Sequence, residues 1–191
     1  MFKKLFLVFS ILLLCPLFAD QEGIDKIEVG DHLFVVTTPE NWMKAEPREP
    51  FDSTFIHKDG SRKCLLLFSC SPQPVEEEIL SDKMEAALEA LYGQEFSEDP
   101  RYLHGALTYS DRGFMQWFFC WDKGNGSMES VFVYASSEFS DPSCFRCMIF
   151  INEVDQATLA IDKAYEQLYK FVGEDFPLFF SAIDFFPKAD F

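Results

Sequence analysis

Histidine is scarce in this 191-residue chain: His32, His57 and His104 are the whole complement, each alone in its stretch of sequence. Three scattered imidazoles leave little material for a catalytic triad or a zinc shell, and no metal site is expected. Cations are scarce as well, with 16 Lys and Arg against 32 Asp and Glu. A formal charge of −16 repels phosphate backbones and anionic headgroups. Nucleic acid is thereby excluded as a partner, and cations or basic protein patches are left. The chain has no G-x-S-x-G, no H-E-x-x-H, and no phosphate or dinucleotide loop. No catalytic residue and no cofactor is therefore expected. Long apolar runs are missing too. The longest, Leu5–Phe18, is 14 residues, short of the roughly 20 that cross a bilayer. No transmembrane domain is expected in the mature chain.

What is present begins with that run. Met1-Phe2-Lys3-Lys4 is a basic start, Leu5–Phe18 an apolar stretch, and Ala19 a small residue before the acids Asp20 and Glu22. This is the pattern of an export signal over 1–19, which places the working protein in the periplasm or outside the cell. A second processing route reads Leu12-Leu13-Leu14-Cys15 as similar to a lipobox, with Cys15 acylated and the chain lipid-anchored in the envelope. Removing 1–19 takes away two lysines and no acid, so the mature charge becomes −18.

Residues 20–173 read as a single α+β domain. Gly30-Asp31 joins strands at Ile27–Val29 and His32–Thr37, and Lys58-Asp59-Gly60 joins Ser53–His57 to Arg62–Ser69. Met43–Pro50 reads as a loop. Val75, Ile79, Leu80, Met84, Ala87, Leu88 and Leu91 recur at helical spacing, with Gly93 as the stop. Four strands follow at Tyr102–Ser110, Phe114–Trp121, Met128–Ser136 and Cys144–Ile151, joined by links too short for parallel crossovers. A second helix is predicted from a cap at Asn152 to a stop at Gly173, with Val154, Ala157, Ile161, Ala164, Tyr165, Leu168 and Val172 as its buried stripe. The expected fold is an antiparallel sheet of about six to eight strands flanked by two main helices. The strand that runs into Pro39-x-x-Trp42, followed by a hairpin, a helix, a meander and a long final helix, resembles the PsbP-like family, which includes DcrB-like periplasmic proteins. That resemblance covers residues of about 25 to 173. It implies an antiparallel sheet between helices, an exported or lipid-anchored location, and a binding or assembly role without catalysis. It carries no functional residue across.

Five cysteines survive signal removal: Cys64, Cys70, Cys120, Cys144 and Cys147. An odd number leaves at least one thiol outside any internal bridge. Cys144-x-x-Cys147 has the spacing of a redox pair, which gives a thiol-disulfide protein as one alternative function. In a strand, however, residues i and i+3 point to opposite faces. A cross-strand staple is the other reading, with Cys120 close to Cys144 or Cys147, and simple burial of free thiols is the third. The tail 174–191 concentrates phenylalanine. Phe179, Phe180, Phe185 and Phe186 are candidate contacts for a protein partner; the alternative is that the tail packs back on the sheet. The expected function is an exported non-enzymatic binding or assembly protein, with a secreted effector or surface antigen as a further alternative.

Overall fold

The computed structural model describes residues 23–93, 102–110, 114–122, 127–155 and 161–187. Residues 1–19, read above as an export signal and including Cys15, lie outside them, as do the side chains of His104, Val154, Ile161, Ala164 and Tyr165, and all of Ala157.

Among the described residues, ten strands form two sheets. A three-stranded sheet has the order β1 (Ile24–Val29), β2 (His32–Thr37), β10 (Ile183–Pro187). A seven-stranded antiparallel sheet runs β3 (Trp42–Ala45), β4 (Ser53–His57), β5 (Arg62–Cys70), β9 (Cys144–Asp155), β8 (Ser127–Ser137), β7 (Phe114–Asp122), β6 (Tyr102–Ser110). The Gly30-Asp31 hairpin is present: Val29 pairs with His32, and Gly30 takes the left-handed φ of 58° that such a turn demands. Pro39-x-x-Trp42 is a tight turn, in which the Trp42 N–H donates to the Pro39 carbonyl at 3.1 Å across Asn41 at φ 67°.

The large sheet is buried on both faces, which explains the unbroken apolar runs of its central strands. On one face Leu65, Phe119, Val131, Val133, Cys147 and Ile149 meet helix α1 (Glu77–Tyr92). The helix contributes Leu80, Met84, Ala87 and Leu88, the stripe its spacing predicts. Gly93 ends it at φ 90°, its N–H on the Glu89 carbonyl at 2.8 Å. On the other face Cys64, Leu66, Phe68, Phe118, Phe132, Met148 and Phe150 meet the small sheet and the C-terminal segment.

That segment departs from the sequence reading in several ways. Asn152 caps no helix; β9 runs on to Asp155, and the Asn152 Nδ2 donates to Gln167 Oε1 at 2.5 Å. Gly173 is not a stop. Helix α2 (Ile161–Lys170) passes through a π-helical turn (Phe171–Asp175) into α3 (Phe176–Ser181). Continuing the helix puts Phe171, Asp175 and Phe179 in the interior. That gain exceeds the cost of about 1 kcal/mol for a mid-helix glycine. Val172, expected in the buried stripe, faces solvent. The 174–191 tail supplies α3 and β10, so the fold has no seam at 173. Met43–Pro50 is likewise not all loop: its first residues belong to β3, which pairs with β4 and buries Trp42.

Candidate functional site

The cysteines divide between the two faces of the sheet. Cys70 and Cys144 lie directly opposite on β5 and β9, their Cα atoms 4.0 Å apart, and form a disulfide across a sequence separation of 74. A staple therefore exists, but Cys120 has no part in it. Strand β8 stands between β7 and β9, and Cys120 pairs in register with Ser130. Cys147 occupies the opposite face from Cys144, as its spacing in a strand requires. Cys64, Cys120 and Cys147 are buried free thiols. Burial pushes Cys147 up to about 12 and Cys64 well above its ordinary value. A thiol held that high supplies almost no thiolate near neutral pH. The C-x-x-C is thus split between a closed disulfide and a buried thiol.

These two thiols make the fold sensitive to alkali. The folded state raises their pKa above the unfolded 9.0. Their contribution is therefore fully present below pH 9 and is lost as pH rises through about 12. Denaturant unfolding between pH 9 and 11 should show stability falling by up to about 1.4 kcal/mol per pH unit for each thiol. A flat profile over that range would contradict the burial of Cys64 and Cys147.

Two buried ion pairs hold the C-terminal segment. Arg62 Nη1 donates to Asp175 Oδ1 at 2.5 Å, and the guanidinium stands 5.8 Å from the centre of the Trp42 ring. Burial pushes the Asp175 carboxyl up, although Arg62 opposes the shift. Arg146 grips Glu138 through Nε–Oε1 at 2.5 Å and Nη2–Oε2 at 2.7 Å. The same guanidinium lies 5.3 Å from the Phe180 ring centre. No sequence spacing links these partners, and the sequence reading missed both pairs.

Around Arg146 a row of aromatic rings reaches the surface. Phe114 on β7 stacks on Tyr134 of β8 at 5.7 Å, Tyr134 meets Phe176 at 4.6 Å, and Phe176 meets Phe180 at 5.4 Å. The four tail candidates fall on different sides of this row. Phe179 is 0% exposed and wedged between Trp42, Phe55 and Phe150; it is core and meets no partner. Phe185 is part-buried against Phe34 and His32. Phe180 and Phe186 are exposed by 46% and 40%. Tyr169, Val172 and Leu178 are exposed on the same segment.

No protein-family model and no curated protein matches this chain. Solved structures do match in fold. One is a point mutant of the protein Mog1, with a TM-score of 0.50 and 8% identity, covering 84% of this chain and 95% of that one. Another is the Ran-binding protein Mog1p of Saccharomyces cerevisiae, with a TM-score of 0.50 and 6% identity, covering 84% and 94%. At such identities the likeness is one of fold, and it assigns no residue.

Besides the aromatic row, a cavity of about 240 Å³ opens where α1 ends over β3, β4 and β5, lined by Arg48, Lys63, Leu65, Tyr92 and Glu129 among others. It brings side chains of both charge signs together. A third grouping sits at the disulfide. His32 Nε2 lies 2.9 Å from Asp141 Oδ2, and its ring stacks on Phe185 at 5.5 Å.

Proposed function

We propose that this chain is an exported, non-enzymatic binding or assembly protein that receives a protein partner on the exposed aromatic face of its C-terminal segment. The observation that carries the reading is where large apolar side chains reach solvent. Among the described residues seven do so, and five of them (Tyr169, Val172, Leu178, Phe180 and Phe186) fall within one stretch of 18 residues. Large apolar side chains gathered in an exposed patch mark an interaction site, whereas single ones scattered over a surface are ordinary. Rings backed by an anchored arginine are the side chains that dominate binding energy at protein interfaces. Since the chain carries −16, the surface that meets it is basic around an apolar centre.

Export is supported by the 1–19 signal pattern and by the Cys70–Cys144 bridge, a feature of oxidising compartments. Acylation at Cys15 would tether the same domain to the envelope. The PsbP-like resemblance implies the same class of role. A fold of this kind also serves protein binding in Mog1p, described as Ran-binding. Among the described residues no helix is long and apolar enough to cross a membrane.

The test is site-specific photo-crosslinking in producing cells. A crosslinking analogue at position 180 should give a discrete protein adduct in the envelope or the medium. Phe180→Ser combined with Phe186→Ser, crosslinked from position 178, should abolish the adduct while leaving the melting temperature within a few degrees. An adduct found only in the cytoplasm would sink the export reading. An adduct of twice the chain's own mass would replace the partner with a second copy.

A further inference from the structure

We propose that the Cys70–Cys144 bridge, once reduced, becomes a site for a thiophilic divalent cation of the Zn²⁺ class, with Cys70, Cys144 and His32 as its three protein ligands. The donor atoms of these three residues already lie within 4.8 Å of one another. A tetrahedral zinc with Zn–S distances of about 2.3 Å sets its sulfurs roughly 3.8 Å apart. Modest rotation of the two side chains after the S–S bond opens is therefore enough to admit the ion. Strands β5 and β9 hold the two cysteines directly opposite one another.

The imidazole is prepared for this role. Asp141 accepts from Nε2 at 2.9 Å, which leaves the lone pair on Nδ1. That Nδ1 is buried and has no hydrogen-bond partner. A carboxylate behind a histidine is the usual outer partner of a metal-bound imidazole, fixing its tautomer and raising its basicity. Asp141 is itself fixed: Ser143 donates to Oδ1 through its backbone N–H at 3.0 Å and its hydroxyl at 2.6 Å. Phe185 stacks on the ring from the side. Water completes the fourth position. Without a metal, an orphaned ring nitrogen beside a disulfide has no evident structural use.

The chemistry balances as two steps. A dithiol reductant passes two electrons and two protons to the Cys70–Cys144 bond and closes its own disulfide. The cation then displaces both thiol protons and binds two thiolates and the neutral imidazole, which leaves the site uncharged. Reoxidation reverses both steps and ejects the ion. The proposal is independent of the partner surface on the C-terminal segment.

Anaerobic titration with Co²⁺ as the probe decides it. The full chain is reduced with a dithiol and freed of reductant. It should bind one equivalent and show a near-ultraviolet thiolate-to-cobalt band with the visible bands of tetrahedral cobalt. Added Zn²⁺ should erase both. The oxidised chain, which keeps the thiols Cys64, Cys120 and Cys147, should show neither. Cys144→Ser should abolish the tetrahedral spectrum, and His32→Ala should weaken binding at least tenfold. Should His32→Ala fail to fold, Asp141→Asn keeps the ring and should still cost about tenfold. Absence of the band in the reduced chain, or an undiminished band in Cys144→Ser, would overturn the proposal.

Discussion

A chain ending at Gly173 loses its cooperative thermal transition. The truncation removes Phe179 and Ile183 from the interior and leaves Trp42, Phe55 and Phe150 facing a void. Loss of one buried phenylalanine costs about 3–5 kcal/mol. Removal of Asp175 strands the Arg62 guanidinium without its carboxylate, at a further cost of about 3–5 kcal/mol. β2 also loses its pairing with β10. Together these terms exceed the lower half of the 5–15 kcal/mol that holds a typical domain. Circular dichroism during heating checks it: a truncated chain that melts sharply at the parent temperature would mean that the tail is an accessory to the fold. The single variant Phe179→Ala should fold but melt well below the parent.

Reduction of the Cys70–Cys144 bridge should produce the next largest effect. The bond closes a loop across 74 positions of sequence. In the chain-entropy account a loop of that length contributes about 4.5 kcal/mol through the unfolded state. For a chain of this size that corresponds to a fall in melting temperature of roughly 10–15 °C. Calorimetry with and without a dithiol measures it, in the absence of divalent metal. Thiol labelling of the unfolded mature chain should rise from three groups to five on reduction. An unchanged melting temperature would mean that the bond carries no load.

The parts of this fold written in the sequence are the local ones. The Gly30-Asp31 hairpin, the α1 stripe ending at Gly93 and the four-strand meander from Tyr102 each follow from residues within a few positions of one another. What was not legible depends on partners far away in sequence. β3 has four residues of which Trp42 alone is buried, and its pairing with β4 and the Arg62 guanidinium beside Trp42 are contacts distant in sequence. The helix passes Gly173 because Asp175 meets Arg62 across a separation of 113 residues. His32 meets Asp141 across 109. Cys70 and Cys144 are recognisable as partners only after β5 and β9 are known to be neighbours. The tail's phenylalanines were visible as composition, yet their division was not. Phe179 turns inward and Phe180 outward because the segment is helical, whereas Gly173 reads in the sequence as a helix stop.

That division is the centre of the account: one side of the C-terminal segment completes the core, and the other is left bare for a partner. The most direct test places the same photo-crosslinking side chain at position 180 and, as a control, at exposed Lys58 in the turn between β4 and β5, in producing cells. The account predicts a single discrete protein adduct from position 180, none from position 58, and unchanged melting for both chains. No adduct at 180, or matching adducts at both positions, would contradict it.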